Sequence, residues 1–210
     1  MLESTSEEHK DLETYLQVKA REKIHKDLHL QDTMTLEKVK TYNPFNDSDK
    51  NTREAMEWLY YDSLSLARSM VDLGCGVGLP TMAIALHLNI PVLAIDGSKL
   101  LVGFAEAMRT KCGIGNVTFL NALIDDNLSE GFDVAFSMHT LEHLTCPERS
   151  LLQMKRIADT TCGIVPKEHA NNSTEHLWHW TDVELRTLLV KVFKEVEVKE
   201  FGNLLAFVAR

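Results

Sequence analysis

Two histidines and a glutamate stand close together in the stretch His139-Thr140-Leu141-Glu142-His143. If the backbone is helical, spacings of three and four residues put these side chains on one face. Two imidazoles and a carboxylate on one face can hold a divalent cation such as zinc. The same groups can instead move a proton, because an unperturbed histidine titrates near neutral pH. The elements that position the stretch decide between these two chemistries.

The chain alternates between short apolar runs and segments of helical periodicity from residue 70 to its C-terminal end. Such alternation predicts an α/β fold in which a doubly wound, mostly parallel sheet carries helices on both faces. The last two strands flank Gly202-Asn203 and form a hairpin that adds an antiparallel strand. The pattern predicts seven strands, over residues 70–73, 91–95, 117–120, 132–138, 162–165, 195–199 and 204–209, and helices over 80–87, 100–109, 147–157 and 181–193.

Capping residues indicate where three of the helices begin. A helix before the first strand carries its apolar face between residues 56 and 67, and Asn51 or Thr52 is its predicted N-cap. Two later pairs have the spacing of a capping box, Thr145 with Glu148 and Thr181 with Glu184.

A glycine-rich turn, Val71-Asp72-Leu73-Gly74-Cys75-Gly76-Val77-Gly78, joins the first predicted strand to the helix that follows. Glycine lets the backbone turn sharply and approach a ligand closely. A dinucleotide fingerprint counted from Gly74 requires a third glycine where the chain has Leu79. A phosphate-binding P-loop requires a Lys-Ser/Thr pair, which is missing here, so the turn fits neither motif.

This turn resembles motif I of class I S-adenosylmethionine-dependent methyltransferases, (V/L)-D-(L/V)-G-C-G-x-G. The second strand ends in Asp96, the position of the family's acidic residue, which accepts hydrogen bonds from both ribose hydroxyls. Asn121 stands where the family often has an aspartate that faces adenine, and an amide can still accept from the adenine amino group. The resemblance implies a Rossmann-like fold and S-adenosyl-L-methionine as cofactor. The cofactor-binding residues it implies are Asp72, Gly74, Cys75, Gly76, Gly78, Asp96, Gly97, Asn121, Ala122 and Met138.

The resemblance covers roughly residues 68–208. Within the family, the chain is most similar to the type 11 branch, which has E-H-L after the fourth strand. His139 then follows the fourth strand directly, at the edge of the sheet where an open α/β fold binds ligands. A metallopeptidase would need a long helix through the motif, whereas a strand is predicted up to Met138 and Pro147 interrupts soon after. His139 is therefore the predicted catalytic base, and His143 and Glu142 are the next catalytic candidates.

The preferred interpretation places no metal in the site. An alternative is open, because Glu142, His143 and the downstream His176 resemble the metal-binding residues of small-RNA 2′-O-methyltransferases. That family has a glutamate where this chain has His139, and histidine favours softer ions.

Trp178 and His179 are predicted to bind substrate from the segment after the fifth strand. Trp178 and Trp180 can equally anchor the next helix to the sheet. The predicted acceptor is a small molecule. The alternatives are a metal-assisted RNA 2′-O-methyltransferase, a protein methyltransferase, and a protein that binds S-adenosylmethionine without catalysis. The acceptor atom and the oligomeric state do not follow from the sequence.

Composition limits the partners and the location. The net charge of −9 and the lack of a basic cluster weigh against a nucleic-acid partner, although an RNA acceptor stays open as an alternative. No apolar run has the roughly 20 residues of a membrane span, and four scattered cysteines fit a reduced, cytoplasmic protein. Residues 1–50 are predicted to be an N-terminal helical lid or extension, and residues 51–210 the methyltransferase domain.

Overall fold

The computed structural model of the chain describes residues 33–41, 44–46, 49–124, 128–168 and 176–210. Its centre is a seven-stranded sheet with the strand order β3-β2-β1-β4-β5-β7-β6. The strands are β1 Met70–Leu73, β2 Val92–Asp96, β3 Val117–Asn121, β4 Phe132–Met138, β5 Ala158–Pro166, β6 Val196–Phe201 and β7 Leu204–Ala209. The α-helices are α1 Leu36–Thr41, α2 Lys50–Leu59, α3 Leu79–Leu88, α4 Lys99–Cys112, α5 Pro147–Ile157 and α6 Asp182–Leu189.

The pairing of the strands confirms the predicted doubly wound sheet. The first five strands pair in parallel, and β7 pairs antiparallel with both β5 and β6. Strand β5 begins at Ala158, four residues before its predicted start, and Ala158 pairs with Phe132. The polar run Asp159-Thr160-Thr161 hid this part of the strand, because backbone pairing continues where the side chains are not apolar.

Two of the three predicted helix starts are wrong in their capping residue. Asp49 is the N-cap of α2, and its carboxylate accepts the N–H of Thr52. Cys146 is the N-cap of α5 and makes no side-chain cap, so the predicted box at Thr145 is wrong. Pro147 occupies the first turn there, where a missing N–H costs nothing. The capping box of α6 is formed as predicted, with Thr181 and Glu184 as its partners.

Different helices cover the two faces of the sheet, because neighbouring residues of a strand point to opposite sides. Met70 of β1 belongs to a cluster with α1 to α4, and Val71 belongs to a second cluster with α5 and α6. Val39 of α1 is fully buried in the first cluster. The end of the predicted N-terminal lid therefore packs on the core, and residues 1–32 lie outside the described part.

The structure also bears on the cysteines and on possible membrane-spanning helices. None of Cys75, Cys112, Cys146 and Cys162, all of which the structure describes, forms a disulfide. Among the described residues, no helix combines the length and apolar character that crossing a membrane requires.

Candidate active site

The loop after β1 requires glycine at three alternate positions. Gly74, Gly76 and Gly78 have φ values of 85°, 56° and 73°, which side chains rarely tolerate. A Cβ on Gly74 would lie 2.3 Å from the Thr140 side chain, and one on Gly78 would lie 2.5 Å from the Phe119 ring. Neighbouring side chains therefore pack closely against the glycine loop, and the loop backbone leads into the N-terminus of α3.

Asp96 ties the glycine loop to the end of β2. One carboxylate oxygen accepts the N–H of Gly76 at 2.9 Å, and the other accepts the N–H of Ser98 at 2.8 Å. A carboxylate can accept about four hydrogen bonds, so this one can also receive ribose hydroxyls. Gly97 forms the turn between Asp96 and Ser98. The two backbone bonds fix the orientation of the carboxylate before any ligand binds.

Asp72 is buried within β1, one residue before the end of the strand. Thr81 of α3 donates a hydrogen bond to its carboxylate. Burial raises the pKa of Asp72 to about 7, against the effect of the Thr81 hydrogen bond, and the nearby Asp96 charge adds to the increase. A carboxyl poised near neutrality beside the glycine loop can pair with a cationic group of the cofactor.

The end of β3 lies beside Asp96 in register. The Asn121 amide nitrogen donates to the Asp96 carbonyl at 3.0 Å, and the Ala122 N–H donates to the same oxygen at 3.2 Å. The Asn121 side-chain oxygen is then the atom suited to an adenine amino group. Cys75 is buried, and its N–H donates to the carbonyl of Ile95 at 3.0 Å.

The stretch from His139 to His143 does not form a long helix. Strand β4 ends at Met138, and His139 has a left-handed φ of 53° with its N–H bonded to the Ile164 carbonyl. A single 3-10 turn then spans Leu141–His143. This geometry excludes the metallopeptidase arrangement. It also turns the side chains of the motif toward one another.

Glu142 is the centre of this group and is completely buried. Its Oε1 lies 3.4 Å from Nδ1 of His139 and 3.9 Å from Nε2 of His143. In the described part of the chain, neither carboxylate oxygen accepts a hydrogen bond. A buried carboxylate without such bonds is costly.

A third histidine reaches Glu142 from the segment after β5. The N–H groups of Leu177 and Trp178 donate to the Glu142 carbonyl at 2.8 and 3.2 Å. Ligand atoms of Glu142, His143 and His176 thereby lie within 4.8 Å of one another. Burial lowers the pKa of His176 below its ordinary value, since the imidazolium is poorly solvated there.

A cleft of about 320 Å³ opens over this group. His139, the first residue after β4, belongs to its lining and directly follows Met138, one of the predicted cofactor-binding residues. Its lining residues are His139, Glu142, His143, Pro166, His176, Asn203 and Leu204.

Trp178 and Trp180, whose roles the sequence left open, differ in their burial. Trp180 is buried in the core with α6, which is the anchoring role. Trp178 is partly exposed, and its Nε1 donates to the Leu144 carbonyl at 2.7 Å. His179 is exposed, with its ring centroid 5.8 Å from that of His176. Neither Trp178 nor His179 lines the cleft.

Thr140 is a residue that the sequence analysis did not single out. Its hydroxyl donates to the Gly74 carbonyl at 3.3 Å, and its side chain packs where a Gly74 Cβ would stand. Thr140 therefore couples the glycine loop to the histidine motif. The sequence signal for this contact is the glycine at position 74. The sequence does not show which side chain occupies the space beside that glycine.

The strand order, the glycine loop after β1 and the carboxylate at the end of β2 together define a class I S-adenosylmethionine-dependent methyltransferase. The loop and Asp96 fit that cofactor, because glycine permits close approach and the fixed carboxylate presents acceptors to a ribose. A model described as a methyltransferase domain matches residues 65–206, and the chain belongs to that family.

Relatives with assigned activities cover only part of this chain. Ajmaline N-methyltransferase of Rauvolfia serpentina is 29% identical over 107 residues, which are 50% of this chain and 37% of that protein. Ribosomal RNA small subunit methyltransferase G of Clostridium botulinum (strain Eklund 17B / Type B) is 32% identical over 82 residues, which are 36% of this chain and 34% of that protein. The chain thus spans about a third of the length of these relatives.

A solved structure shares the fold over most of the chain. It is a SAM-dependent methyltransferase from Aquifex aeolicus, with a TM-score of 0.63 and 19% identity. The match covers 84% of this chain and 98% of that one.

Proposed function

We propose that the protein transfers the methyl group of S-adenosylmethionine to a nucleophilic atom of a small-molecule acceptor. The cleft lined by His139 after the end of β4 supports this proposal most directly. Its volume of about 320 Å³ falls at the lower end of small-ligand pockets. The net charge of −9 disfavours a phosphate backbone as the partner.

The roles of the chain's own residues follow from their positions. The cofactor, when bound, supplies a methyl group on a positively charged sulfur that is primed for in-line displacement. Asp96 holds the ribose and Asn121 receives the adenine amino group. Asp72 and the glycine loop hold the amino acid end. These contacts orient the methyl group toward the cleft.

His139 takes up the proton that the acceptor loses as its lone pair forms the new bond to carbon and the carbon–sulfur bond breaks. Nδ1 of His139 faces Glu142, so Nε2 is the nitrogen that serves the acceptor. Glu142 orients the imidazole and stabilises its charged form. His143 supports the same carboxylate from the other side. Trp178 and His179 lie on the same segment as His176.

An acceptor screen with labelled cofactor tests the proposal. The purified chain is incubated with S-adenosylmethionine labelled on the methyl group and with panels of amines, phenols, thiols and carboxylic acids. Transfer to a member of a panel is expected. Asp96→Asn is the matched control at subsaturating cofactor, because it weakens cofactor binding and leaves the cleft intact. Binding of S-adenosylhomocysteine without transfer to any acceptor would instead favour a binding protein without catalysis.

A second candidate is methyl transfer to RNA, which the likeness to a ribosomal RNA methyltransferase favours. The same assay with total RNA as acceptor distinguishes it from the first. Label that appears in RNA and in no small molecule would replace the small-molecule proposal. The net charge of −9 argues against that result.

A further inference from the structure

The Glu142 carboxylate has no hydrogen-bond donor among the described residues, although it is completely buried. Native proteins satisfy nearly all buried polar side chains, and an unsatisfied one calls for an explanation such as an ion. The nearest cationic candidates are imidazoles at 3.4 and 3.9 Å, beyond the usual 2.7–3.2 Å range of a hydrogen bond.

His176 repeats the pattern from the opposite side of the group. Its Nδ1 is buried and makes no hydrogen bond to a described residue. The rings of His143 and His176 meet edge to face, with their centroids 4.9 Å apart. Two separate segments therefore bring ligand atoms to the same small volume.

The backbone holds those segments together without help from the side chains. Leu177 and Trp178 both donate their N–H groups to the Glu142 carbonyl, and the Trp178 indole donates to the Leu144 carbonyl. These three bonds clamp the turn after β4 against the segment after β5. The approach of His176 to Glu142 is therefore built into the fold, as a preorganised ligand set requires.

We propose that Glu142, His143 and His176 bind one divalent transition-metal ion, with zinc as the best match, at the floor of the cleft. Two imidazoles and one carboxylate suit zinc, and three protein ligands leave a further position open. Zinc–ligand distances of about 2.0–2.2 Å require the three atoms, now within 4.8 Å, to move closer by about 1 Å through side-chain rotation.

The open position faces the cleft, which these same three residues line. An oxygen or nitrogen of the acceptor can coordinate there, so the ion would select acceptors that carry such a group. This selection rests on the proposed methyl transfer, but binding of the ion does not. The carboxylate has two oxygens and can hold the ion while it orients His139. The proposal takes up the alternative that the sequence left open, instead of the preferred metal-free interpretation, because the structure brings His176 close to Glu142.

Metal titration of the whole chain tests the proposal without a known acceptor. Chelator-treated protein is titrated with Zn²⁺ and with Mg²⁺ by calorimetry, and bound metal is counted by elemental analysis. One equivalent of zinc is expected, with much weaker binding of magnesium. Glu142→Gln and His176→Gln should each weaken zinc binding by at least about tenfold. Glu148→Gln removes an exposed carboxylate that pairs with Lys191 and should change nothing.

Three measurements keep the outcomes distinct. Circular dichroism melting identifies a variant that does not fold; if Glu142→Gln is one, His176→Gln and His143→Gln carry the test. Zinc should raise the melting temperature of the wild type more than that of the folded variants. S-adenosylhomocysteine binding is measured in parallel. No zinc binding by the wild type, or equal binding by the folded variants, overturns the site and leaves methyl transfer standing. Loss of S-adenosylhomocysteine binding by the wild type would overturn the proposed function instead.

Discussion

Asp96 offers the most direct test of the cofactor site, through the substitution Asp96→Asn. The carboxylate already accepts the N–H groups of Gly76 at 2.9 Å and of Ser98 at 2.8 Å. An amide has one oxygen, so its nitrogen must face one of these two donors. The variant thus loses a bond that shapes the glycine loop, in addition to the charge that strengthens the ribose bonds.

The expected loss of affinity follows from the bonds at stake. A hydrogen bond to a charged group contributes about 1.5–3 kcal/mol. Asparagine keeps part of this, so S-adenosylhomocysteine should bind about 2 kcal/mol more weakly, roughly 30-fold in Kd. Calorimetry at constant pH measures the change, and the wild type should bind in the micromolar range or tighter.

Asp133 provides a matched control at the opposite end of the sheet. Its Oδ2 accepts the N–H groups of Arg68 at 2.7 Å and of Ser69 at 3.1 Å, and its Oδ1 accepts from the Arg68 guanidinium at 3.2 Å. Asp133→Asn should lower stability and leave cofactor affinity unchanged. The reasoning is refuted if folded Asp96→Asn binds within twofold of the wild type, or if both variants lose affinity equally.

Three further predictions concern the loop, the buried acid and the base. Gly74→Ala should destabilise the fold by several kcal/mol, since it adds a clash with Thr140 to the strain of a positive φ. Gly113→Ala, with a positive φ and open space, should cost only about 1 kcal/mol in urea unfolding. The raised pKa of Asp72 means that the folded state holds a proton which the unfolded state releases, so this group lowers stability as pH rises from about 4 to 7. Asp72→Asn should remove that decline in chemical unfolding, and an unchanged pH profile would contradict it. His139→Ala should reduce turnover by about 10²–10⁴-fold with little change in S-adenosylhomocysteine affinity, and near-normal turnover would exclude it as the base.

Local patterns in the sequence predict the fold and the cofactor loop well. The glycine loop and Asp96 are separated by a single helix in a repeating strand–helix unit, so their relation follows from the unit itself. The capping residues of α2 and α5 were predicted less well. Asp49 precedes the candidates Asn51 and Thr52 by a few residues, and Pro147 starts α5 without a side-chain cap. Several residues at a helix start can serve as a cap, and spacing does not rank them.

The neighbourhood of Glu142 could not be predicted in the same way. A resemblance grouped His176 with Glu142 and His143 as an alternative, but only the folded segment after β5 shows that these residues meet. Thr140 was missed for the same reason, since its contact with Gly74 joins two different strand ends. Sequence spacing indicates which side chains share an element, but it carries little information on contacts between loops.

The position of β7 has a consequence for the order in which the sheet can assemble. Every residue of β7 is buried, and the strand lies between β5 and β6, which do not pair with each other. A folding intermediate in which Leu204–Ala209 has not yet joined the sheet would therefore leave β6 without this partner and the edge of β5 open. Exposed strand edges recruit other chains, so an intermediate that lacks β7 would aggregate more readily than the complete sheet.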